Sequence, residues 1–232
     1  MKFIKLYESF EDIDSICKKY NIKNYTINSD GTVDVDGDVD LNKKELTKLP
    51  LKFGNVSGSF HCYKSGLITL EGSPKSVGGN FSCGYNQLET LDLCTKSIGG
   101  YFNCSQNKLT TLEGGPQSVG GYFSCSKNKL IVLEGSPRSV GGNFYCYTNQ
   151  LKDLYGFPDF FDYEIYHHSN PVSEILDLFN GNRLGKVIDL LNEYGVIQQD
   201  GKLVVLDRLE EVFHVLNMDI PEEINLKNYE VY

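Results

Sequence analysis

The chain has no run of apolar residues long enough to span a bilayer. It has no secretory signal with a small-residue cleavage site either, because the apolar core of Met1–Tyr7 is too short. These absences make a cytoplasmic protein the expectation. No Cys-x-x-Cys pair offers a structural zinc site. No G-x-x-x-x-G-K-S loop offers a phosphate cradle, and the Gly-Gly pairs belong to a repeat. Net positive charge is missing as well: the formal charge is −9. Nucleic acid and anionic membranes need a cationic surface, so neither is expected as the main partner. Nothing after Cys146 is a cysteine, and the remaining segment is too short for a ligase domain with a nucleophilic thiol.

What is present is a period. Five copies of Val/Ile-x-Gly-x-Phe-x-Cys recur every 21 residues, at Val56–Cys62, Val77–Cys83, Ile98–Cys104, Val119–Cys125 and Val140–Cys146. Each is followed by a pair of leucines, from Leu67 and Leu70 to Leu151 and Leu154. A fixed period of this size signals a solenoid whose coils stack on their neighbours. One period earlier lie Val35, Gly37, Val39, Leu41, Leu46 and Leu49, all of matching character. One period past the last full copy lie Phe161, Tyr163, Ile165, His167, Asn170, Val172 and Ile175, a degenerate coil. The expectation is seven coils over 35–175, a stack about 30 Å long at the spacing of adjacent strands.

Phe and Cys two apart share one face of a short strand, which is the core. The glycine two before Phe suits a bend or a close backbone approach. Asn86, Asn107, Asn128, Asn149 and Asn170 form a column whose amides are expected to bond the turn and the next coil. The return segment, mostly Glu-Gly-x-Pro, is too rich in Gly and Pro for a helix. Of the seven cysteines, five occupy one repeat position and read as reduced core fillers, with Cys17 and Cys94 apart.

Residues 1–34 read as an N-terminal cap. Ile13, Ile16, Cys17 and Tyr20 make a helical stripe, Ser9 with Asp12 resembles a capping box, and 25–27 pairs with 32–35 around Asp30-Gly31. Residues 176–232 read as an α-helical C-terminal cap. Its apolar stripes are Val172–Phe179 (with Asn170 as helix cap), Leu184–Tyr194 and Leu206–Leu216, and Val196-Ile197 is set against Lys202–Val204 around Asp200-Gly201.

Phe81-x-Cys83-x-x-Asn86-x-Leu88-x-x-Leu91 and its copies resemble the leucine-rich repeat pattern, with Phe and Cys in the first two leucine places. The chain is similar to the short bacterial type. It looks closer still to repeat proteins of large tailed bacteriophages, through 27–41, the Ser-Val-Gly-Gly-Asn-Phe-x-Cys phrases, Asn-x-Leu-Thr-Thr-Leu-Glu-Gly-x-Pro and the start at Met1–Phe10. The resemblance covers about Tyr25–Ile175. It implies a leucine-rich-repeat solenoid, a parallel strand stack with a non-helical convex side, and a recognition role.

The residues between core positions define the expected concave face. One column is Asp38, Ser59, Asn80, Tyr101, Tyr122, Asn143 and Glu164, and the next is Asp40, His61, Ser82, Asn103, Ser124, Tyr145 and Tyr166. The third is Asn42, Tyr63, Gly84, Ser105, Ser126, Tyr147 and His168. Tyrosine offers contact area at little entropy cost, so His61, Tyr63, Tyr101, Tyr122, Tyr145, Tyr147, Tyr166 and His168 are the candidate partner-binding residues. The bland alternative is a tyrosine ladder that only stabilises a sheet. No catalytic set, metal site or cofactor is expected. Asp34, Asp36, Asp38 and Asp40 approach the composition of a calcium loop, but Val39 stands where its glycine belongs. The functional expectation is a non-enzymatic scaffold that binds a protein, in a phage setting an inhibitor of host defence. The alternatives are a sequestering site for a nucleotide-like ligand where Tyr147, Tyr166 and His168 meet the C-terminal cap, and a virion component.

Overall fold

A computed structural model describes residues 12–158, 160–161, 163–180, 183–198 and 200–232. The repeat forms a parallel β-solenoid whose coils each carry two short strands. Alternation in Phe-x-Cys signals one of them; the other, Ser-Val, is only two residues long. The Val strands stack into a parallel sheet running from Val33–Val35 to Phe160–Phe161. The Phe strands stack into a second, seven-stranded sheet from Val39–Asp40 to Ile165–Tyr166. Register is uniform in the Phe sheet: Phe60 faces Phe81, which faces Phe102, and so on in steps of one period. The third side of each coil is the irregular Leu-x-x-Leu segment.

A two-residue strand forms because its neighbours hold it. Phe60 donates its N–H to the Asn80 carbonyl at 2.8 Å, Phe81 to Tyr101 at 2.8 Å and Phe102 to Tyr122 at 3.0 Å. Inside, the side chains repeat as columns. Phe60, Phe81, Phe102, Phe123 and Phe144 are fully buried, with adjacent ring centroids 5.2–5.7 Å apart. Cys62, Cys83, Cys104, Cys125 and Cys146 are fully buried free thiols whose pKa burial raises. They fill space as apolar groups.

The glycines mark the corner between the two sheets. Gly79, Gly100 and Gly121 donate to Gly58, Gly79 and Gly100 carbonyls at 2.8–2.9 Å, so backbone ladders continue round the bend. At the first glycine of each pair a Cβ would collide with the coil before: on Gly99 it would lie 2.1 Å from the Gly78 carbonyl oxygen, and on Gly120 2.1 Å from that of Gly99. Neither contact can be relieved by a side-chain rotation, because the obstacle is backbone.

The asparagine column satisfies the turn, with one change from expectation. Each amide reaches its own turn and the preceding coil, not the next. Asn149 Oδ1 accepts the N–H of Asn128 and Leu130 at 3.1 and 3.2 Å, while its Nδ2 donates to the Cys125 and Cys146 carbonyls at 3.1 and 2.9 Å. Asn170 makes the same set with Asn149, Leu151, Cys146 and His167, so it belongs to the ladder and does not cap a helix. The following helix has Val172 at its N-cap.

At the N-terminal end, α1 (Ile13–Lys19) buries Cys17. Asp12 makes no side-chain cap bond, and its expected capping partner Ser9 lies outside the described residues. Tyr25–Ile27 pairs antiparallel with Val33–Val35 and joins the Val sheet. The C-terminal end holds α2 (Ser173–Leu176), a 3-10 turn (Asp177–Phe179), α3 (Leu184–Glu193) and α4 (Leu206–Val215). Phe179 stacks on Phe213 at 4.6 Å. Ile197–Gln198 pairs antiparallel with Leu203–Val204, and Glu230–Val231 adds a parallel third strand. That segment is tied to the solenoid by Tyr229 Oη donating to the Lys152 carbonyl at 3.0 Å, and to α2 by Asn228 Nδ2 donating to Glu174 at 2.7 Å. Among the described residues no helix is long and apolar enough to cross a membrane.

Candidate functional site

The outward residues of the Phe sheet show how the face is built. In the first column each short polar side chain accepts the N–H of its counterpart one coil on. Asp38 Oδ1 takes Ser59 N–H at 2.7 Å, Ser59 Oγ takes Asn80 N–H at 3.0 Å, and Asn80 Oδ1 takes Tyr101 N–H at 3.0 Å. Asn143 Oδ1 resumes the relay with Glu164 N–H at 3.2 Å. Tyr101 and Tyr122 break it. A phenol at the end of a rigid ring cannot fold back to its own backbone corner. Among the described residues no side chain takes the N–H of Tyr122 or Asn143.

In place of those bonds the tyrosines contact one another. Tyr101 and Tyr122 stack at 4.4 Å and 8°. Tyr122 meets Tyr145 edge to face at 5.7 Å, and Tyr145 stacks on Tyr166 at 4.7 Å and 14°. The Tyr166 hydroxyl donates to Glu164 at 2.5 Å. Tyr101, Tyr122, Tyr145 and Tyr166 thus form one continuous ribbon across four coils. Beside it, Tyr147 stacks on His168 at 4.6 Å and 9°, with Lys127 Nζ 6.0 Å from the Tyr147 ring centre. Burial and the neighbouring Tyr101 push the Tyr122 phenol up to about 12, and the bond to Glu164 raises that of Tyr166. These phenols stay neutral near neutral pH and serve as hydrogen-bond donors.

The eight sequence candidates are not one cluster. Tyr101, Tyr122, Tyr145 and Tyr166 join in the ribbon, and Tyr147 and His168 lie alongside. Tyr63 pairs instead with Tyr85 at 4.8 Å, near the other end of the sheet. His61, half-buried in the same strand array, has no ring partner among these contacts. Tyr85 was missed by strand parity because it sits in the turn, in the left-handed region at φ 56°. The face is also less open than parity implies. Ser82, Gly84, Ser124 and Ser126 are buried, and the Ser126 hydroxyl has no hydrogen-bond partner among the described residues.

Other candidate chemistry resolves into structure. Three of the aspartates of 34–40 are engaged by the second coil: Asp34 takes Asn55 N–H at 2.6 Å, Asp36 takes Ser57 Oγ–H at 2.8 Å and Asp38 takes Ser59 N–H at 2.7 Å. No group of three or more His, Cys, Asp or Glu among the described residues is placed to hold a metal ion. His167, in the cysteine position of the last coil, lies with Nδ1 3.2 Å from Ser173 Oγ and Nε2 3.9 Å from Asp177. The order imitates a triad, but the buried Ser173 hydroxyl spends its proton on the His167 carbonyl at 2.7 Å. It is a clasp between the last coil and α2. A shallow groove of about 470 Å³ lies on the Val sheet, between Asn24, Asp34 and Asp36 at one end and Ser97 and Gly99 at the other. It is remote in sequence from the junction of Tyr147, Tyr166 and His168.

The stacked parallel strands, the 21-residue period and the Asn and Leu columns define a leucine-rich-repeat-like solenoid. Comparisons with protein-family models, curated proteins and solved structures returned no match.

Proposed function

We propose that this chain is a non-enzymatic recognition scaffold that binds a protein partner through the tyrosine ribbon of the Phe sheet. One observation carries this reading. The first outward column obeys a side-chain-to-backbone relay except at Tyr101 and Tyr122, where the relay is given up for two stacked rings. Each such bond is worth about 1 kcal/mol, and a stacked aromatic pair returns about the same, so stability alone gives little reason for the exchange. Local rules are broken where function demands it. Rigid, partly exposed tyrosine rings suit a protein surface. Mutual stacking at 4.4–4.7 Å leaves no room for a base between the rings, which disfavours the nucleotide-like alternative.

The resemblance to repeat proteins of large tailed phages extends the proposal: a phage product that engages a host protein in the host cytoplasm, with inhibition of a defence factor as its natural form. The test is a variant carrying Tyr101→Asn, Tyr122→Asn and Tyr145→Ser. The asparagines restore the relay, so the fold is expected to survive, with an unchanged circular dichroism spectrum. A stoichiometric host protein retained by the parent chain is expected to be lost by the variant. Retention of that protein by a folded variant refutes the reading.

A further inference from the structure

The turns that leave the Phe sheet carry charge mostly of one sign. In the seven turns at 43–45, 64–66, 85–87, 106–108, 127–129, 148–150 and 169–171 there are six lysines (Lys43, Lys44, Lys64, Lys108, Lys127 and Lys129) and one carboxylate, Glu45. The chain as a whole is at −9, so the sign of this edge runs against the net charge. All six lysines are exposed. Lys108 reaches only the neutral Gln87, at 3.3 Å, and Lys127 lies over the Tyr147 ring. Among the described residues none of the six is in an ion pair, whereas Lys75, elsewhere on the solenoid, pairs with Asp30 at 3.1 Å. The edge adjoins the tyrosine face directly, since Tyr63 and Tyr147 each precede one of these turns.

We propose that the partner bound at the tyrosine face presents an acidic polypeptide segment, which lies along this lysine edge. The inference rests on the reading of the face as a protein-binding surface. Charge complementarity selects the occupant: on a chain at −9, the lysines of this edge, none of them in an ion pair among the described residues, attract an acidic segment and orient it during encounter. A single nucleic-acid strand would also meet the lysines, but it binds by stacking its bases on open aromatic faces. Here one face of each of these rings is already taken by a neighbouring ring.

The probe is a fluorescein-labelled peptide of about 12 residues alternating Glu with Gly and Tyr, long enough to span the edge in extended form. Lys-for-Glu peptide and oligothymidine of similar length serve as comparisons, all followed by anisotropy. The acidic peptide is expected to bind alone, and more weakly as ionic strength rises. The variant Lys64→Glu, Lys127→Glu, Lys129→Glu is expected to lose about tenfold or more in affinity. The matched variant Lys186→Glu, Lys202→Glu, Lys227→Glu in the C-terminal cap is expected to bind like the parent. Absence of peptide binding, equal loss in both variants, or tighter binding of oligothymidine overturns the proposal. Its failure is separable from failure of the face reading. If the tyrosine variant still loses its host partner while the peptide does not bind, only the acidic-segment inference falls.

Discussion

The asparagine column allows a graded test, because its members take different numbers of backbone donors. Asn107 Oδ1 accepts one N–H, that of Leu88 at 3.0 Å. Asn149 accepts two, from Asn128 and Leu130. Asn86 accepts three, from Ser65, Gly66 and Leu67 at 3.0, 2.9 and 3.1 Å. The carbonyls matter less where the ladder is continuous. Cys125 and Cys146 oxygens each receive a second amide, from Asn128 and Asn170, so losing Asn149 leaves both with a partner. The orphaned donors therefore set the cost at Asn107 and Asn149; at Asn86, where the ladder starts, the Cys62 carbonyl also loses its partner, so the donor count there gives a minimum. At about 1.5 kcal/mol for each unpaired N–H, alanine at Asn107, Asn149 and Asn86 should cost about 1.5, 3 and 4.5 kcal/mol in turn. For a chain of this length the middle value lowers Tm by about 9 °C. Solenoids unfold by coils and need not be two-state. Urea midpoints and slopes should therefore be compared with amide exchange, which should quicken first at Leu88, at Asn128 and Leu130, or at Ser65–Leu67 according to the variant. Equal losses across the three, or a reversed order, would refute the bond-by-bond reasoning.

Two further outcomes follow from the packing and from the last coil. Gly120→Ala places a Cβ against the Gly99 carbonyl, where backbone must move, so a loss of about 1–3 kcal/mol is expected by urea denaturation, with Ser118→Ala, exposed in the adjoining strand, near neutral. Burial lowers the His167 pKa below its ordinary 6.5, Asp177 opposing and His168 assisting. Above about pH 6.5 both folded and unfolded states hold this histidine neutral, and as pH falls below that value the unfolded chain takes up the proton first. Tm should thus drop from pH 7 to 5, and His167→Cys, which restores the residue of the column, should flatten that drop. An unchanged slope in that variant would show that the clasp is not the titrating element.

The solenoid was legible because its core is written once per coil: Phe81, Cys83, Asn86, Leu88 and Leu91 recur with their spacing intact. What escaped depends on neighbours that a position's own identity does not name. The Ser-Val strand is two residues long and shows no alternation, yet it holds as one member of a stacked sheet. The reason for Gly99 lies in the carbonyl of Gly78, a full period earlier. Ser82 and Ser124 stand at outward parity and are buried all the same. Glu230–Val231 finds its partner in Leu203–Val204, too far along the chain for a hairpin signal. At the candidate site, the columns placed Tyr101, Tyr122, Tyr145 and Tyr166 on one face, but not the join across columns that makes them a ribbon.

That join bears on how a uniform scaffold acquires a particular face. Every coil must meet the same internal demands, so Phe, Cys, Asn and the corner glycines have little freedom. The first outward column is only partly free, because Asp38, Ser59, Asn80 and Asn143 also serve the backbone of the next coil. Position 101 could have held asparagine at no structural cost, as 80 and 143 do. Tyrosine there forgoes a bond and gains a ring contact only because position 122 is tyrosine as well. Neither substitution recovers its loss singly. The two therefore act as a pair, and the stack they begin is extended by Tyr145 and Tyr166 from the neighbouring column. Four rings in contact form a preorganised surface, and on the proposed reading that preorganisation would lower the entropy cost of binding. A decorative tyrosine on a sheet would carry no such interdependence.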